Sequence, residues 1–313
     1  MLDVNICVVG AGRWGINHIK TLCQIGVKTG IVEKNTGKQT NIKKLFPNLT
    51  CFNSIDDSFQ KNFDGYIIAT PPITHFEIAK KVLLKGKTVL VEKPLVLSIE
   101  EGEKLLSLVE KTNGRLIVGH LLLFHPAIIK MKELIDDGII GNVQYLYSNR
   151  LNLGVVRKEE NVFWSFAPHD IAIFQYLTNS SPKIIHSKGS TFLQEGIPDS
   201  TMTIFKYENG VEGHIFVSWL HPFKEHRLVV IGTEAMISFE DSIDGKPLKL
   251  YSKKFDLING VPEKIDGTVE SISYENKMPL TEELSYFINH LDGKKPKIAK
   301  NRHSRSPAAS KPA

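Results

Sequence analysis

Apolar and polar positions alternate in two different ways along this chain, and the change from one pattern to the other predicts two domains. In the first 120 residues, short apolar segments are separated by longer segments with apolar residues at helical spacing. Short apolar runs of this kind predict buried strands, and their regular alternation with helices predicts a doubly wound parallel sheet of the α/β class. The predicted strands are residues 4–9, 30–32, 64–70, 88–91 and 116–119.

The pattern changes near residue 141. Residues 143–151 alternate like a strand with one exposed face, a helix is predicted over residues 168–177, and several strands then follow without intervening helices. Those strands are residues 184–189, 201–207, 213–219, 228–231 and 236–239. Strands joined in this way are typical of an antiparallel sheet with one covered face. We therefore expect a C-terminal α/β domain with an open, mainly antiparallel sheet.

The expected domain boundaries follow from these patterns. The first domain covers residues 1–120 and the second covers residues 121–297, with a last helix over residues 280–291 that returns to the first domain. Residues 298–313 have no apolar periodicity and are predicted to be a disordered tail.

Composition narrows the class of protein. Apolar residues make up 42% of the chain and charged residues 23%, as in ordinary soluble globular proteins. The net charge of +5 is scattered and partly due to the tail, so we expect no nucleic-acid partner. Three cysteines without a C-x-x-C pair favour a reducing compartment. The chain begins with a strand and has no long apolar run, so we expect no signal peptide, no membrane contact and a cytoplasmic location.

A glycine-rich turn, GAGRWG, follows the first predicted strand. Gly10 allows the tight turn, Gly12 lets a pyrophosphate approach the backbone, and Gly15 lets the following helix pack on the strand. Arg13 and Trp14 begin that helix, whose N-terminal N–H groups attract phosphates. The pattern alone also occurs as a plain turn, but the flanking strand and amphipathic helix favour a dinucleotide site.

An acidic residue, Glu33, ends the second predicted strand about twenty residues beyond the glycines. A carboxylate at this position binds ribose hydroxyls and repels a 2′-phosphate, so the sequence favours NAD over NADP as cofactor. Lys34 beside it weakens that preference, and the alternative role for Glu33 is a solvated charge at a strand end.

A second motif, ATPPITH, ends the next predicted strand. Ligands of open α/β sheets bind beyond the carboxyl ends of the strands, where Thr70, Pro71 and Pro72 are expected to line the nicotinamide. The prolines alternatively only stiffen the loop. His75 either lies near the cofactor or caps the following helix.

A third motif, EKP, comprises Glu92, Lys93 and Pro94 at the end of another predicted strand, where Glu92 and Lys93 are expected to contribute to the cofactor site. A lysine held there can orient and polarise a substrate hydroxyl, since it is a point charge that responds to its surroundings. The alternative is a surface lysine paired with Glu92.

A fourth candidate, SFAPHD, lies in the second domain. His169 is predicted in the first turn of a helix, and its imidazole can accept a hydroxyl proton near neutral pH. The alternative is a histidine that only packs. Asp170 is expected to serve as a charge at the helix N-terminus. The remaining histidines lack ligand spacing, so we expect no metal site.

Taken in order, GAGRWG, ATPP-x-x-H, EKP and the helical histidine resemble the Gfo/Idh/MocA family of oxidoreductases over residues 3–297. The resemblance implies an N-terminal Rossmann doubly wound sheet, NAD(P), sugar or polyol substrates, and dimers or tetramers formed through the C-terminal sheet. It also implies that Lys93 and His169 are catalytic. Two positions depart from the family pattern, since Ser165 replaces a common Asp and Leu123 a common Arg. The first departure leaves His169 without a carboxylate partner of that kind.

The segments SNRLNLG, NVFWSFAPHDI and VSWLHPFKEHRLVVIG resemble one branch of the family, the UDP-N-acetylglucosamine (or uronate) 3-dehydrogenases of cell-surface sugar synthesis. This resemblance implies a nucleotide-sugar substrate. Arginines suit a diphosphate, although ordinary surface charge is the alternative. The substrate candidates are His120, Arg150, Asn152, Arg157, Trp164 and Arg227, in addition to Lys93 and His169.

Three other functions stay open at this point. One is a dehydrogenase of the same family for a free sugar or cyclitol. Another is reduction of a 3-keto sugar, because one site serves both directions. The third is a non-catalytic protein that binds NAD as a sensor.

Overall fold

The computed structural model describes residues 2–158 and 160–291. These residues form two compact units, one containing the chain up to Leu121 together with the segment from Lys277 onward, and the other containing Leu122–Asn276. The tail predicted to be disordered, residues 298–313, lies outside the described residues.

The first unit contains a six-stranded parallel sheet, in the order β3-β2-β1-β4-β5-β6. Its strands are β1 (Leu2–Val9), β2 (Val27–Val32), β3 (Thr50–Phe52), β4 (Gly65–Ile68), β5 (Thr88–Glu92) and β6 (Arg115–Gly119). The helices between them are α1 (Arg13–Gln24), α2 (Thr36–Leu45), α3 (Ile55–Ser58), α4 (His75–Leu84) and α5 (Ile99–Lys111), with a short 3₁₀ turn at Pro72–Thr74. The predicted Rossmann-type α/β fold class is confirmed.

Successive residues of each central strand face opposite layers of this unit. Ile6 and Val8 of β1 pack with Ile19 and Leu22 of α1. Cys7 and Val9 belong to the cluster on the other face, which includes residues of α4 and α5. Both faces are therefore apolar, as expected for strands of a parallel sheet that is covered on both sides.

The register of this sheet aligns the ends of four strands. Val9 pairs with Val32 of β2 and with Ile68 of β4, and Ile68 pairs with Val91 of β5. The residues that follow these strands therefore lie along one edge of the sheet. This is the edge where ligands bind in open α/β sheets.

The second unit contains an eight-stranded sheet, in the order β16-β13-β12-β11-β7-β10-β9-β8, and a separate hairpin, β14-β15. Neighbouring strands are antiparallel except for β7 and β10, which are parallel. The strands are β7 (Val143–Leu153), β8 (Pro182–Ser190), β9 (Ser200–Tyr207), β10 (Glu212–Ser218), β11 (Leu220–Gly232), β12 (Met236–Glu240), β13 (Leu248–Tyr251), β14 (Lys254–Ile258), β15 (Val261–Ile265) and β16 (Val269–Ser271). The helices are α6 (Pro126–Asp136) and α7 (Val162–Thr178), and a 3₁₀ turn covers Leu121–Phe124.

One face of the second sheet is covered and the other is open, as the alternation predicted. Helix α7 packs against β7, β9 and β10. Along β9, Thr203 and Phe205 are buried, whereas their neighbours Met202 and Ile204 are exposed. The expected open, mainly antiparallel sheet is thus confirmed.

The last helix, α8 (Pro279–Asn289), packs in the first unit. Its Leu284 and Phe287 are fully buried and share a core cluster with Ile6 and Val8 of β1. It therefore covers the same face of the parallel sheet as α1. Within the described residues, none of the helices is both long and apolar enough to span a membrane.

Candidate cofactor and active-site residues

The glycine-rich turn places two glycines where any side chain would collide with the backbone. A Cβ at Gly10, whose φ is +99°, would lie 2.9 Å from the Ala69 carbonyl oxygen. A Cβ at Gly15 would lie 1.9 Å from the Gly10 carbonyl oxygen. A Cβ at Gly12, in contrast, would meet nothing within 4 Å. Gly10 and Gly15 are therefore needed for packing, whereas Gly12 leaves open space beside the turn.

The start of α1 offers backbone donors at this open space. Gly12 is the N-cap, no side chain caps the helix, and its first turn carries no acidic residue. Free N–H groups at a helix N-terminus attract anions. Arg13 and Trp14 are exposed at the same turn. The arrangement fits the pyrophosphate of a dinucleotide.

Glu33 follows β2 and its carboxylate lies against the same turn. Oε2 accepts a hydrogen bond from the Ala11 N–H at 2.9 Å, and Oε1 accepts one from the Asn35 N–H at 2.9 Å. Each carboxylate oxygen has a further acceptor site. The side chain is half-buried, and it fits the ribose hydroxyls of NAD.

The buried ring of His75 contacts two of the sequence motifs. Its ring is 1% exposed, with Nδ1 2.9 Å from the Pro94 carbonyl oxygen and Nε2 2.8 Å from the Thr70 carbonyl oxygen. Both ring nitrogens therefore face backbone carbonyls. His75 does not act as a side-chain cap of α4, and it holds the ATPP and EKP turns together. Pro71 is exposed and Pro72 half-buried above it.

The Glu92 carboxylate accepts hydrogen bonds from a side chain of α1 and from the backbone of the EKP motif. The Nε2–H of His18 donates to Oε1 at 2.8 Å, and the backbone N–H of Lys93 donates to Oε2 at 3.3 Å. His18 lies on α1, is 0% exposed and was missed by sequence reasoning. The position of His18 on the apolar side of α1 could have indicated this contact, because a buried histidine needs a hydrogen-bond partner.

His120 follows β6 and is buried beside these groups. The pKa of His120 is lowered to about 4, mainly by burial and also by the Lys93 ammonium, while Glu92 acts in the opposite direction. Its imidazole is therefore neutral near pH 7. Lys93 itself is half-buried at the end of β5.

In the second unit, the helix carrying His169 begins earlier than predicted. α7 is 17 residues long and starts at Val162, because Asn161 caps it by accepting a hydrogen bond from the Trp164 N–H at 3.1 Å. Pro168, which suggested a helix start, is tolerated within the helix. His169 lies in its middle, half-buried, rather than in its first turn.

The expectation that Asp170 is a charge at the helix N-terminus was wrong. Asp170 is 1% exposed and lies over β7, where its carboxylate accepts from Arg150 Nε at 2.8 Å and Nη2 at 2.9 Å. The Ser148 hydroxyl donates to it at 2.7 Å. Burial opposes the charge of Arg150, but the Asp170 carboxylate outweighs this and raises the pKa of the guanidinium. A buried bidentate pair explains why Asp170 is needed within the helix.

The other substrate candidates of this unit are dispersed. Asn152 is half-buried on β7, Trp164 is half-buried in the first turn of α7, and Arg157 is exposed in the loop between them. Arg227 pairs with Glu240 and Glu225. The two arginines of strands β7 and β11 thus have carboxylate partners within the unit.

A pocket that sequence reasoning missed is lined by Arg150 and Asp170 together with apolar side chains. It is also lined by His226 and Asp241. Burial opposes ionisation of Asp241, but contacts with His226 at 3.9 Å and Lys246 at 2.8 Å outweigh it, so the pKa of this carboxyl lies below its usual range. The charges around the pocket therefore balance one another.

Ser165, which stands where many Gfo/Idh/MocA sequences have Asp, contacts a carboxylate. Its hydroxyl donates to Glu160 Oε1 at 2.8 Å. Ser165 lies one helical turn before His169 on α7. A carboxylate, that of Glu160, thus lies next to Ser165, although it comes from the loop before α7 and not from the helix itself. Among residues 2–158 and 160–291, no group of three metal-ligating side chains is found.

Comparison with known proteins identifies both units. Residues 4–120 match the family model for the oxidoreductase family with an NAD-binding Rossmann fold, and residues 128–238 match the GFO/IDH/MocA C-terminal domain. The predicted resemblance and the NAD cofactor are thereby confirmed, and the first unit is an NAD-binding domain.

Relatives with two kinds of substrate are similar to this chain. A scyllo-inositol 2-dehydrogenase (NAD(+)) from Bacillus subtilis is 27% identical, over 82% of this chain and 80% of the relative. UDP-N-acetylglucosamine 3-dehydrogenase from Acidithiobacillus ferrooxidans is 24% identical, over 95% of this chain and 91% of the relative. The structure of that second enzyme has a TM-score of 0.81 at 22% identity, over 95% of this chain and 91% of that chain.

A third relative is the WlbA dehydrogenase from Bordetella pertussis in complex with NADH and UDP-GlcNAcA. Its structure has a TM-score of 0.69 at 20% identity, over 77% of this chain and 80% of that chain. At these identities the structural comparisons establish the fold.

Proposed function

We propose a reaction for this chain from the premise that it belongs to the Gfo/Idh/MocA family of oxidoreductases. The reaction is the NAD-dependent oxidation of a ring hydroxyl, at C3, of a nucleotide sugar such as UDP-N-acetylglucosamine or its uronate. Reduction of the corresponding 3-keto sugar is the same reaction in reverse.

The observation that carries this proposal is the length of the match to UDP-N-acetylglucosamine 3-dehydrogenase. That match spans 95% of this chain and 91% of the relative. The match to the scyllo-inositol enzyme spans 82% and 80%. Since substrate choice depends on loops outside the shared core, a match that extends over nearly the whole chain favours the nucleotide sugar.

The cofactor site consists of residues at the carboxyl edge of the parallel sheet. Gly12 and the first N–H groups of α1 hold the pyrophosphate, and Glu33 holds the ribose. Thr70, Pro71 and Pro72 line the side toward the nicotinamide. NAD, when bound, supplies the nicotinamide that accepts a hydride.

Lys93 orients the substrate hydroxyl and stabilises the negative charge that develops on its oxygen. Positioned charge of this kind is effective because it needs no reorganisation during the reaction. The Glu92 carboxylate holds the Lys93 N–H, and His75 holds the Pro94 carbonyl group. These contacts fix the backbone on both sides of Lys93.

His169 accepts the hydroxyl proton. A general base of this type contributes about 10²–10⁴ to the rate. Asp170, the next residue on α7, is locked to Arg150 and Ser148, so the rotation of the helix about its axis is fixed. Ser165 and Glu160 supply the polar neighbourhood that a helical Asp supplies in other family members.

A second candidate function is oxidation of a free cyclitol or sugar. It is favoured by the higher identity, 27%, to the scyllo-inositol 2-dehydrogenase. The balanced charges around Arg150 and Asp241 are also compatible with a neutral substrate. Under this alternative, Lys93 and His169 keep the same roles.

The experiment that separates these candidates follows NADH absorbance with the protein, NAD and a panel of substrates. The panel contains UDP-N-acetylglucosamine, its uronate, scyllo-inositol, myo-inositol and free hexoses, and an aminotransferase with an amino donor removes the ketone. We expect NADH only with the UDP-sugars. NADH only with a cyclitol or free sugar would replace the proposal by the second candidate. NAD binding without turnover of any compound would favour an NAD-sensing protein.

A further inference from the structure

A buried carboxyl group on α8, Glu283, has no role in the reaction described above. It is 0% exposed, and neither of its side-chain oxygens has a hydrogen-bond partner among the described residues. Buried polar groups are nearly always paired, and an unpaired buried carboxylate is especially unfavourable. Sequence reasoning could not find this group, because two adjacent glutamates, Glu282 and Glu283, are typical of the exposed face of a helix.

The position of Glu283 relates it to the EKP motif. α8 packs against α1, and both helices cover the same face of the parallel sheet. On α1, His18 is also 0% exposed and binds Glu92 through Nε2, while its Nδ1 has no partner within the described part of the chain. The other charged side chains of α1, Arg13 and Lys20, are exposed. On this face of the sheet His18 and Glu283 are fully buried, and Glu92, which binds His18, is half-buried.

The two carboxyl groups differ in their hydrogen bonds. Glu92 accepts hydrogen bonds from His18 and from the Lys93 N–H. Glu283 has no such donor. Burial raises the pKa of Glu283 well above its usual value, and the charge of Glu92 raises it further. His120, which also senses the charge of Glu92, is neutral near pH 7, since burial and the Lys93 ammonium together lower its pKa to about 4.

We propose that Glu283 holds a proton in the active protein and is a positioning residue for Lys93. As a neutral acid it fills the layer behind Glu92 without adding a second negative charge. Loss of that proton would place two like charges in one buried layer and push the Glu92 side chain away from His18 and the Lys93 N–H. Glu283 thus acts through Glu92 and touches neither cofactor nor substrate. The link to catalysis rests on the proposed function, but the proton on Glu283 does not.

The protonation state is tested first, and without any substrate. Infrared difference spectra of the full-length protein with NAD, wild type minus Glu283→Gln near pH 7, should show the carbonyl band of a protonated carboxylic acid. The neighbouring Glu282→Gln variant is the matched control. It should keep the protonated acid, so the wild type minus Glu282→Gln spectrum should not show that band. Absence of the band from the wild-type minus Glu283→Gln spectrum would overturn the proposal, whatever the substrate is.

The positioning role is tested by the pH profile of kcat/KM with whichever substrate of the panel is oxidised. Glu283→Gln and Glu283→Leu cannot ionise, so each should move the alkaline limb upward by about one pH unit or more, while Glu282→Gln should not. Two variants are used because one of them can fail to fold. A folded variant with the wild-type alkaline limb would overturn the positioning role. If no compound is oxidised, the proposed function fails, and the infrared band still decides the state of Glu283.

Discussion

The two units of this chain place their charged side chains differently. In the first unit, the charged groups that the sequence singled out lie at one edge of the parallel sheet, and Glu33 and Lys93 directly follow strands whose ends are in register. In the second unit, Arg150 and Arg227 are paired with carboxylates of the same unit. Charged residues of the first unit thus lie along the open edge where ligands bind, whereas the two arginines of the second unit form ion pairs within that unit.

The difference follows from sheet topology. All strands of the first sheet run in one direction, so every strand end reaches the same edge and its residues can be assigned from sequence order. In the second sheet, β7 lies between β10 and β11, which come much later in the chain. The partners of a residue on β7 therefore cannot be assigned from order alone.

The largest effect is expected at Lys93. Lys93→Met should lower kcat by about 10²–10⁴-fold, since it removes the group that stabilises charge on the substrate oxygen. NAD binding, measured by quenching of protein fluorescence, should change little. Lys44→Met, at an exposed lysine of the same unit, should leave both quantities as in the wild type. Near-normal turnover by Lys93→Met would mean that the edge of the parallel sheet holds no catalytic lysine.

The closed pair of the second unit is tested by Asp170→Ala. This variant leaves the guanidinium of Arg150 buried without its carboxylate, so the free energy of unfolding should fall by about 3–5 kcal/mol in denaturant titrations. Glu212→Ala removes one partner of the exposed Lys206–Glu212 pair and should cost about 1 kcal/mol or less. An equal fall in the free energy of unfolding for the two variants would show that Asp170 is not the main partner of Arg150. Arg150 would then again be a candidate ligand for the substrate diphosphate.

The open edge of the first unit is tested by two glycine substitutions. Gly15→Ala forces a Cβ to within 1.9 Å of the Gly10 carbonyl oxygen, so it should destabilise the protein by roughly 1–3 kcal/mol or more. Gly12→Ala meets no atom within 4 Å and should fold normally. Because its methyl group occupies the space for the pyrophosphate, its NAD affinity should fall about tenfold to a hundredfold, or about 1.4–2.7 kcal/mol. Unchanged affinity in Gly12→Ala would show that the pyrophosphate binds elsewhere.

The smallest effect is expected at Glu33. Glu33→Gln keeps an acceptor for the ribose but removes the charge that repels a 2′-phosphate. The ratio of kcat/KM for NAD to that for NADP should fall about tenfold, equivalent to about 1.4 kcal/mol. An unchanged ratio would mean that another part of the turn selects the cofactor.

Sequence patterns predicted most of the first unit because its signals are local. The glycines, Glu33 and the strands of the parallel sheet are each defined by neighbouring residues. His18 and Glu283 were missed because their burial depends on the packing of α1 against α8, which come from distant parts of the chain. The start of α7 was missed because it depends on the cap at Asn161. The strands β13 to β16 were missed because they are only three to five residues long.

The most direct test of the proposed reaction is transfer of a label from C3 of the sugar. UDP-N-acetylglucosamine carrying deuterium at C3 is incubated with the protein and NAD, and the reduced cofactor is examined by mass spectrometry. We predict one deuterium per reduced nicotinamide and a slower reaction than with the unlabelled sugar wherever hydride transfer limits the rate. Reduced cofactor without deuterium would contradict oxidation at C3, and absence of reduced cofactor alongside turnover of scyllo-inositol would contradict the nucleotide-sugar assignment itself.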